Sequence, residues 1–497
     1  MSGPNLRDVD GSELTASCEA LLGQGGCLRF AYGWYPEAGE ALELRYVVSA
    51  APTEPPEMWR CRPRTAEVPS LAGRAPLMAW YEREISDLCG VVFAGSPQPY
   101  PLLLLPGARA YAPLLRVGPD DPAIDYQPQS CDLPEIGGPA RGDIQRLPFG
   151  PIRADVVESA QFVFLYIGEA ILHYQPQLFF KHRGMERRFE GRAQDLAAIL
   201  AERVSGVGSV AHALAYCQAI EAAADCTVPP RAALLRVVLA ELERLYNHLH
   251  YLGHLCHTTT LKVGEAQGKY LEERIKQVNG RLTGSRFLRN LLTPGGLRTD
   301  LDMSRVGQEL DAIASEFTTY SRMLEASTPH LDRLITTGFL DSKVAQDQGA
   351  TGPVERASGA QRDLRRDLPY AAYGRLPVNV ALSQQGDAHA RQQVRIAEIE
   401  SSIELIRSAM AMLRPGAFRV VCEAPASSEG LGWAESPRGA LYYVVHVGGD
   451  GRLARVKIKS PSFSNWRAFP FTVHDSNMMD YAINEASFGL TMAGCDR

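Results

Sequence analysis

The sequence predicts an α+β protein, in which an N-terminal α+β domain is followed by a mainly α-helical bundle domain with peripheral β-hairpins. Apolar residues alternate from Leu42 to Val48, which is the period-two pattern of a half-buried strand. Apolar residues also recur at steps of three and four in 235–252 and in 396–413, which predicts two long core-facing helices. Glycines at 448–451 separate two strand-like runs and predict a hairpin near the end of the chain.

The N-terminal domain is predicted to span residues 1–115. Apolar residues alternate over Leu28–Tyr32, and the Pro-Glu-Ala-Gly-Glu turn at 36–40 is expected to join this strand to the strand that begins at Leu42. Apolar residues at helical spacing between Leu77 and Leu88 then predict a short amphipathic helix. This succession of strands and helix places the domain in the α+β class.

A Pro/Gly-rich linker is predicted at residues 116–146. Ten prolines occur from Pro101 to Pro151, and each of them fixes φ and lacks a backbone donor. The stretch is therefore expected to be extended rather than helical. The second domain is assigned to residues 147–497, and it contains both apolar stripes and the C-terminal hairpin.

Composition and charge exclude several functions. The chain has 497 residues and a formal net charge of −6, which gives no long-range attraction to nucleic acid. No run of about 20 apolar residues could span a bilayer and no signal peptide opens the chain, so a cytoplasmic location is expected. None of the ten cysteines lies three residues from another, which disfavours a metal or iron–sulfur site in this chain. No Gly-x-Gly-x-x-Gly or Walker loop supports direct NADH binding.

Three polar clusters are candidates for chemistry. The first is HRGME at 182–186, for which a solvated, salt-bridged face is the structural interpretation. The second is the row Glu241, Arg244 and His248, which lies on one side of a long helix as either a buried ion network or a functional site. The third is ERVSGVG at 202–208, where a loop or helix start exposes backbone groups.

Seven segments of the second domain resemble one family, in the family's order. They are HRGMERRFEGR at 182–192, LAELERLYNHLHYLG at 239–253, GRLTGSRFLRNLLTPGG at 280–296, RASGAQRDLRRDLPYAAY at 356–373, GDAHAR at 386–391, ESPRGALYYVV at 435–445 and VKIKSPSFSNW at 456–466. Together they resemble the large subunit of group 4 nickel–iron hydrogenases and its relative, the D-type subunit of NADH-quinone oxidoreductase. In the first domain, YEREISDL at 81–88 resembles the core motif of the C-type subunit of the same enzyme. The resemblance implies a fused C/D-type polypeptide with the hydrogenase large-subunit fold.

The resemblance breaks at the four positions where nickel-bearing members carry cysteines. Ser205 and Gly208 occupy the first pair of positions, and Thr491 and Gly494 occupy the second, with Cys495 one position away. Nickel–iron chemistry needs soft thiolate ligands. These lost ligand positions predict a subunit that holds no nickel and does not activate hydrogen.

The quinone site that the D-type resemblance would imply is also incomplete. Arg153 and Val157 stand where the family has two histidines, and Gly206 stands where it has a tyrosine. Any quinone headgroup would therefore have to be bound by other residues.

Four residues are carried over as candidate catalytic residues. Arg203 and His248 match an arginine and a histidine beside the terminal iron–sulfur cluster of the partner small subunit, so they are also predicted to border that cofactor. Glu186 matches a glutamate implicated in proton passage, and a carboxylate in a dry pocket would have a raised pKa. An ion pair with an arginine is the alternative for Glu186. His182, in the same segment, is the fourth candidate.

The resemblance implies a large peripheral subunit of a membrane-attached, complex I-like oxidoreductase. Such a subunit would bind an iron–sulfur small subunit and membrane subunits at the inner face of the cytoplasmic membrane. It would pass electrons from the partner's iron–sulfur cluster to a quinone or another acceptor, coupled to ion translocation. Two alternatives stay open: a structural adaptor without catalysis, and an active nickel–iron hydrogenase as the hypothesis to be tested against metal content.

Overall fold

The structure is a computed structural model that describes residues 5–36, 41–104, 143–153, 158–474 and 476–497. These residues form two compact units: an N-terminal unit within 5–104 that also includes 347–349, and a larger unit made of 143–346 and 350–497. The predicted limit at residue 115, most of the linker and Cys131 lie outside the described residues. The limit predicted between 146 and 147 falls inside strand β7 (Gln145–Phe149), and the domain limits remain a prediction.

In its described residues, the N-terminal unit contains a four-stranded sheet, a two-stranded parallel sheet and two α-helices. Its elements are β1 (Leu6–Asp8), α1 (Leu14–Gly23), β2 (Cys27–Trp34), β3 (Glu43–Ser49), β4 (Glu57–Cys61), β5 (Glu67–Pro69), α2 (Ala79–Cys89) and β6 (Val92–Ala94). The main sheet has the order β1-β4-β3-β2, with β1 parallel to β4 and the other pairs antiparallel, and β5 and β6 form a parallel pair. The predicted strand pair and the predicted helix are confirmed, although residues 37–40 of the turn lie outside the described residues.

Strand β3 differs from the prediction of a half-buried strand, because all of its residues are buried. Its two charged residues tolerate burial since Arg45 and Glu43 form an ion pair at 2.6 Å. Arg62 also contacts Glu43 at 2.7 Å. Pairing offsets part of the hydration that burial removes. The alternating charges therefore form an ion pair rather than a solvated face.

The larger unit combines long helices with two three-stranded antiparallel sheets in its described part. The strands are β7 (Gln145–Phe149), β8 (Gln161–Ile167), β9 (Ala170–Gln177), β10 (Leu292–Thr293), β11 (Gly296–Leu297), β12 (Glu429–Ser436), β13 (Gly439–Val447) and β14 (Leu453–Lys459). Strands β7-β8-β9 form one sheet, β12-β13-β14 form another, and β10 pairs with β11. The predicted C-terminal hairpin is confirmed as β13–β14, and β12 adds a third strand.

In the described residues of the larger unit, four helices pack against one long helix. The helices of this unit are α3 (Met185–Arg188), α4 (Ala197–Ala201), α5 (Ser209–Ala223), α6 (Pro230–Thr258), α7 (Lys262–Thr283), α8 (Val306–Ala326), α9 (Thr328–Leu334), α10 (Ser342–Asp347), α11 (Pro353–Ala357), α12 (Leu364–Asp367), α13 (Ala388–Met412), α14 (Pro461–Ala468), α15 (Tyr481–Phe488) and α16 (Met492–Asp496). Helix α6 packs against α5, α7, α13 and α15. The predicted α+β class, with a helical bundle and peripheral hairpins, is confirmed.

The two predicted apolar stripes are buried to different extents. The stripe on α6 is buried along its whole length, as the periodicity predicts. The stripe on α13 is only partly buried, since Ile396 and Met410 are half-buried. Another face of α13 instead inserts Arg395 and Glu398 into the core. Charged residues therefore occupy core positions that the apolar stripe did not predict.

Candidate functional site

A large cavity lies in the larger unit, bordered by the loop after α4, by α6 and α13, and by the C-terminal helices. Its volume is about 1220 Å³, above the range of roughly 300–1,000 Å³ that is usual for small-molecule sites. Aromatic side chains cover part of the wall, including Phe149, Phe164 and Tyr481. Phe164 and Tyr481 meet edge to face with ring centroids 4.9 Å apart. The cavity is large enough for a substrate or an acceptor molecule.

The loop between α4 and α5 is positioned by helix α6. The Tyr246 hydroxyl and the Asn247 amide donate to the Val207 carbonyl at 3.1 and 2.8 Å. The buried Glu243 carboxylate accepts from the backbone N–H groups of Val210 and Ala211 at 2.6 and 3.0 Å, so it satisfies two free donors at the start of α5. These bonds fix the loop at the wall of the cavity.

Two of the four candidate catalytic residues, Arg203 and His248, line this cavity. Arg203 is exposed on the loop, and its carbonyl accepts from the Arg183 guanidinium at 3.0 Å. Arg153 and Gly206, which stand at a histidine and the tyrosine position of the quinone site, also line it. The other histidine position, Val157, lies outside the described residues. The roles predicted for Arg203 and His248 remain predictions, but the structure brings both to one site.

His182 and Glu186 do not line the cavity within the described part of the chain. His182 is exposed, and its Nδ1 lies 2.6 Å from the Asp496 carbonyl oxygen. Its catalytic role remains a prediction.

Glu186 has the ion-paired environment that was the alternative to proton passage. Its carboxylate contacts Arg455 at 2.8 Å and Lys457 and Arg497 at 3.2 Å. Burial alone would raise its pKa, but the three cations lower the pKa to about 2. The expected raised pKa is therefore wrong, because a carboxyl group with this pKa stays ionised near neutrality.

The four lost ligand positions meet at one small cavity. Ser205, Gly208, Thr491 and Gly494 line it, although the two pairs are nearly 290 residues apart in the sequence. Its volume is about 10 Å³, roughly the space of one water molecule. Cys495 does not line it. A methyl group added at Gly494 would lie 2.6 Å from the Thr491 hydroxyl oxygen, so the position has no room for a larger side chain without rearrangement.

A nickel–iron centre does not fit the residues of this small cavity. Its described lining residues offer the hydroxyl groups of serines and Thr491 together with His212, and no thiolate. Burial lowers the pKa of His212 to about 3, and its Nδ1 lies 2.8 Å from the Tyr443 hydroxyl. Among the described residues, no group of three or more His, Cys, Asp or Glu side chains is arranged to hold a metal ion.

His248 connects the large cavity to an ion network inside the unit. Its Nε2 lies 2.8 Å from the Glu398 carboxylate, and both residues are buried. Burial lowers the pKa of His248 to about 4, although the hydrogen bond with Glu398 acts in the opposite direction. The imidazole is therefore neutral at pH 7 and can accept a proton when negative charge arrives nearby.

Arginines carry the network from Glu398 to other elements. Arg356 donates to Glu398 at 2.6 Å and to Glu435 at 3.0 Å. Arg365 pairs with Asp363 at 2.7 Å. All five side chains are buried, so each charge depends on its partners rather than on water.

Glu241 and Arg244 form the other end of the network. Their side chains are 3.1 Å apart, and Glu241 also accepts from Arg365 at 3.2 Å and from Ser402 at 2.6 Å. Burial would raise the pKa of Glu241, but Arg244 and Arg365 lower it to about 2. The predicted row of Glu241, Arg244 and His248 thus belongs to a buried ion network, with only His248 reaching the cavity.

The network contains one more carboxylate than guanidinium. Its acids are Glu241, Asp363, Glu398 and Glu435, and its arginines are Arg244, Arg356 and Arg365. Burial, with a contribution from Asp363, raises the pKa of Glu435 to about 7. Glu435 is thus the acid of this network whose pKa is raised, the direction that the sequence interpretation expected for Glu186.

Sequence reasoning missed several residues of the cavity. Arg395 and Arg438 line it. Arg438 lies in the segment ESPRGALYYVV, but its position in the segment gave no sign that it faces a cavity. His250, His254 and His257 also line it, with successive rings stacked 6.2 Å apart. Their steps of four and three along α6 were visible in the sequence and predict a common face.

In the part of the chain that the structure describes, no helix combines the length and the apolar character needed to cross a membrane.

Comparisons with known proteins relate both units to respiratory and hydrogen-metabolising complexes. The family model of the 49 kDa subunit of respiratory-chain NADH dehydrogenase matches residues 270–428 and 417–497. The model of nickel-dependent hydrogenases matches residues 183–269. The model of the 30 kDa subunit of respiratory-chain NADH dehydrogenase matches residues 18–119.

Individual relatives agree with these matches. Formate hydrogenlyase subunit 5 of Escherichia coli is 31% identical over 432 residues, which cover 83% of this chain and 74% of the relative. The C/D subunit of NADH-quinone oxidoreductase from Gluconacetobacter diazotrophicus is 29% identical, and the match covers 93% of this chain and 82% of the relative. NADH-quinone oxidoreductase subunit 4 of Thermus thermophilus is 30% identical, and the match covers 73% of this chain and 97% of the relative.

A solved structure shares the fold. A chain in the structure of the membrane-bound sulfane sulfur reductase, an archaeal respiratory membrane complex, superimposes with a TM-score of 0.68. It is 23% identical, and the match covers 72% of this chain and 100% of that chain.

Proposed function

This chain belongs to the family of oxidoreductase subunits that includes formate hydrogenlyase subunit 5 and the C/D and D subunits of NADH-quinone oxidoreductase, and from this premise we propose how its cavity works. It is a peripheral subunit of a complex I-like assembly. We infer that the large cavity receives electrons from an iron–sulfur cluster of a partner small subunit and passes them to an acceptor molecule. Membrane subunits of the same assembly would use the reaction to move ions.

The observation that carries this proposal is the meeting of Arg203 and His248 at the wall of one large cavity. A guanidinium group near a cluster stabilises the reduced, more negative form. His248 is neutral before an electron arrives, and added negative charge would raise its pKa and favour proton uptake. Glu398 orients the imidazole through the 2.8 Å hydrogen bond. Electron arrival and proton uptake would thus be coupled at this wall.

A quinone is one candidate acceptor, and the residues present would bind it differently from the family's histidines and tyrosine. Arg153 is held by Glu485 through two hydrogen bonds of 2.9 Å, and its guanidinium lies over the Phe162 ring. It is therefore anchored at the wall. The aromatic wall would contact the apolar part of such a molecule. Hydrogen activation is not proposed, because the small cavity has no thiolate among its described lining residues and no space for two metal ions.

The proposal is tested with the purified whole complex, reduced by a low-potential donor under anaerobic conditions. Reoxidation of the cluster by a quinone or another acceptor, followed by its spectrum, is the expected result. Arg203→Gln should lower the midpoint potential of the cluster, because one positive charge is removed. Arg305→Gln is the matched control, since Arg305 is exposed and does not line the cavity. Equal potentials in both variants would argue against electron transfer at this wall.

The second candidate function is a structural adaptor between the small subunit and the membrane arm. The closed ion network around Glu241 and Arg356 favours it, because such a network can serve rigidity alone. The adaptor is supported if no acceptor reoxidises the complex and if His248→Gln leaves cellular function intact. Metal analysis addresses the remaining alternative: nickel in a one-to-one ratio with the chain would overturn the interpretation of the four lost positions.

A further inference from the structure

The wall of the large cavity carries a surplus of positive charge. Its cationic side chains are Arg153, Lys181, Arg183, Arg203, Arg289, Arg395 and Arg438, and its carboxylates are Glu158 and Glu485. Both carboxylates are already paired, Glu485 with Arg153 at 2.9 Å and Glu158 with Lys181 at 3.1 Å. The other five cations form no ion pair with a carboxylate among the described residues. To a molecule that enters it, the cavity therefore presents five guanidinium groups without a direct carboxylate partner in the described part of the chain.

Arg395 is the most deeply buried of these five cations, with 2% of its surface exposed. Its guanidinium lies 3.7 Å above the Tyr251 ring. It donates to the backbone carbonyls of Arg391, Ser487 and Phe488 at 3.1, 3.3 and 2.9 Å. Desolvation lowers its pKa. Among the described residues its hydrogen-bond acceptors are all neutral, and Glu398 adds an electrostatic attraction without direct contact. A buried cation without a direct ionic partner is costly, so a counter-charge in the cavity would stabilise it.

Arg438 contacts the carbonyl that follows those bound by Arg395 in the chain. It donates to the Gly489 carbonyl at 2.8 Å and to the Asn247 side-chain oxygen at 2.9 Å. Desolvation lowers its pKa to about 10. Apart from the Arg391 carbonyl in α13, the backbone carbonyls that accept from Arg395 and Arg438 are at the C-terminal end of α15, where the helix dipole contributes only about half a negative charge. The two positive charges of Arg395 and Arg438 are larger than this partial negative charge.

Arginines on the loop side form a second group at the same cavity. Arg183 donates to the carbonyls of Arg203 and Val204 at 3.0 and 2.6 Å. Arg289 contacts the Gly206 carbonyl at 3.4 Å. Because these side chains are partly solvent-accessible, they can attract an anion before it reaches Arg395 and Arg438.

We propose that the cavity binds a small anionic ligand, with a carboxylate or oxyanion group held at Arg395 and Arg438 and with Arg183, Arg203 and Arg289 at the entrance. This inference rests on the proposed function, because it takes the cavity as the place where the acceptor binds. It adds that the acceptor carries an anionic group. Guanidinium groups bind such anions through paired, charge-assisted hydrogen bonds. A small ligand is favoured over an acidic protein segment because Arg395 lines the cavity with only 2% of its surface exposed.

The test is equilibrium binding to the purified complex without any electron donor, so it does not depend on catalysis. Sodium sulfate is the anionic probe, titrated at constant ionic strength against sodium chloride, and duroquinone is the uncharged probe. Saturable sulfate binding is expected. Arg438→Gln should weaken it about tenfold or more, since it removes a hydrogen bond to a charged group. Arg231→Gln should bind as the unaltered protein does, because Arg231 pairs with Asp300 and does not line the cavity.

If Arg438→Gln fails to fold, Arg289→Gln replaces it, since Arg289 has a single weak carbonyl contact and should weaken sulfate binding with the fold intact. Equal sulfate affinity in the cavity variants and in Arg231→Gln would overturn the proposal. Binding of duroquinone without competition from sulfate would overturn it too, as would binding of a polyglutamate peptide but not of sulfate. Anion binding without reoxidation of the cluster would support this proposal while the proposed electron transfer fails.

Discussion

Replacing Glu241 by glutamine removes one charge from the buried ion network and keeps the size of the side chain. Glu241 is fully buried between Arg244 at 3.1 Å and Arg365 at 3.2 Å. Its pKa falls from the ordinary 4.5 to about 2, which corresponds to about 3 kcal/mol at roughly 1.36 kcal/mol per tenfold change in proton affinity. Breaking a buried ion pair costs roughly 3–5 kcal/mol. We therefore expect a loss of about 3 kcal/mol in the free energy of unfolding at pH 7.

The loss is measured by urea denaturation followed by far-ultraviolet circular dichroism. The control is Glu265→Gln, because the pKa of Glu265 is also lowered to about 2, but its partners Lys262 and Lys269 are 67% and 60% exposed. Exposed ion pairs contribute less than about 1 kcal/mol, so the control should lose little. Equal losses in both variants, or a loss below about 1 kcal/mol in Glu241→Gln, would refute the reasoning.

The sign of the pH dependence gives a second readout of the same variant. Because the pKa of Glu241 is lowered in the folded chain, its stabilisation is present above pH 4.5 and is lost as the pH falls toward about 2. The unaltered protein should lose stability over this range more steeply than Glu241→Gln. Parallel pH profiles would contradict the assignment.

Three other substitutions test how the larger unit is held together. Glu243→Gln should lower the free energy of unfolding by about 1–3 kcal/mol, because one of two backbone donors loses its acceptor. Burial raises the Glu243 pKa to about 7, so the unaltered protein should lose stability as the pH rises from 4.5 to 7. Thermal melts at several pH values should show a flatter stability profile in the variant. Asp387→Ala should cost about 1 kcal/mol in thermal melts, because it removes the N-cap of α13; an unchanged midpoint would contradict the cap. Gly432→Ala should cost roughly 1–3 kcal/mol, because the added methyl group collides with the Ala215 carbonyl oxygen of α5, whereas Gly449→Ala meets open space and should melt normally.

Much of the secondary structure followed from short-range periodicity. The stripe on α6 and the β13–β14 hairpin appeared where alternation and turn residues predicted them. These patterns are readable because the repeat of a helix or strand is a property of adjacent residues. The prediction was wrong for the exposure of β3, since Glu43 and Arg45 are buried as an ion pair. The alternation of apolar residues shows which side chains share a face of the strand. It does not show whether other elements cover both faces.

For the candidate site too, the sequence did not predict which distant residues come into contact. Arg203 and His248 were selected by resemblance and reach one cavity. Glu186 was selected on the same basis, but Arg455, Lys457 and Arg497 neutralise it. These three cations lie on the last strand and at the chain end, far from Glu186 in sequence, so no local spacing could predict their approach.

The amino-acid types alone decided what chemistry is available: hydroxyl groups and glycines at four positions cannot supply the thiolates that a nickel–iron centre needs. Tertiary structure decided which charges are compensated and which are left facing the cavity. Glu398 lies 150 residues from His248 and 42 residues from Arg356, and Arg395 and Arg438 meet at the end of α15. The pKa of a buried group depends on neighbours that only folding brings within a few ångströms, because electrostatic interactions depend on spatial distance and solvent access rather than on sequence separation.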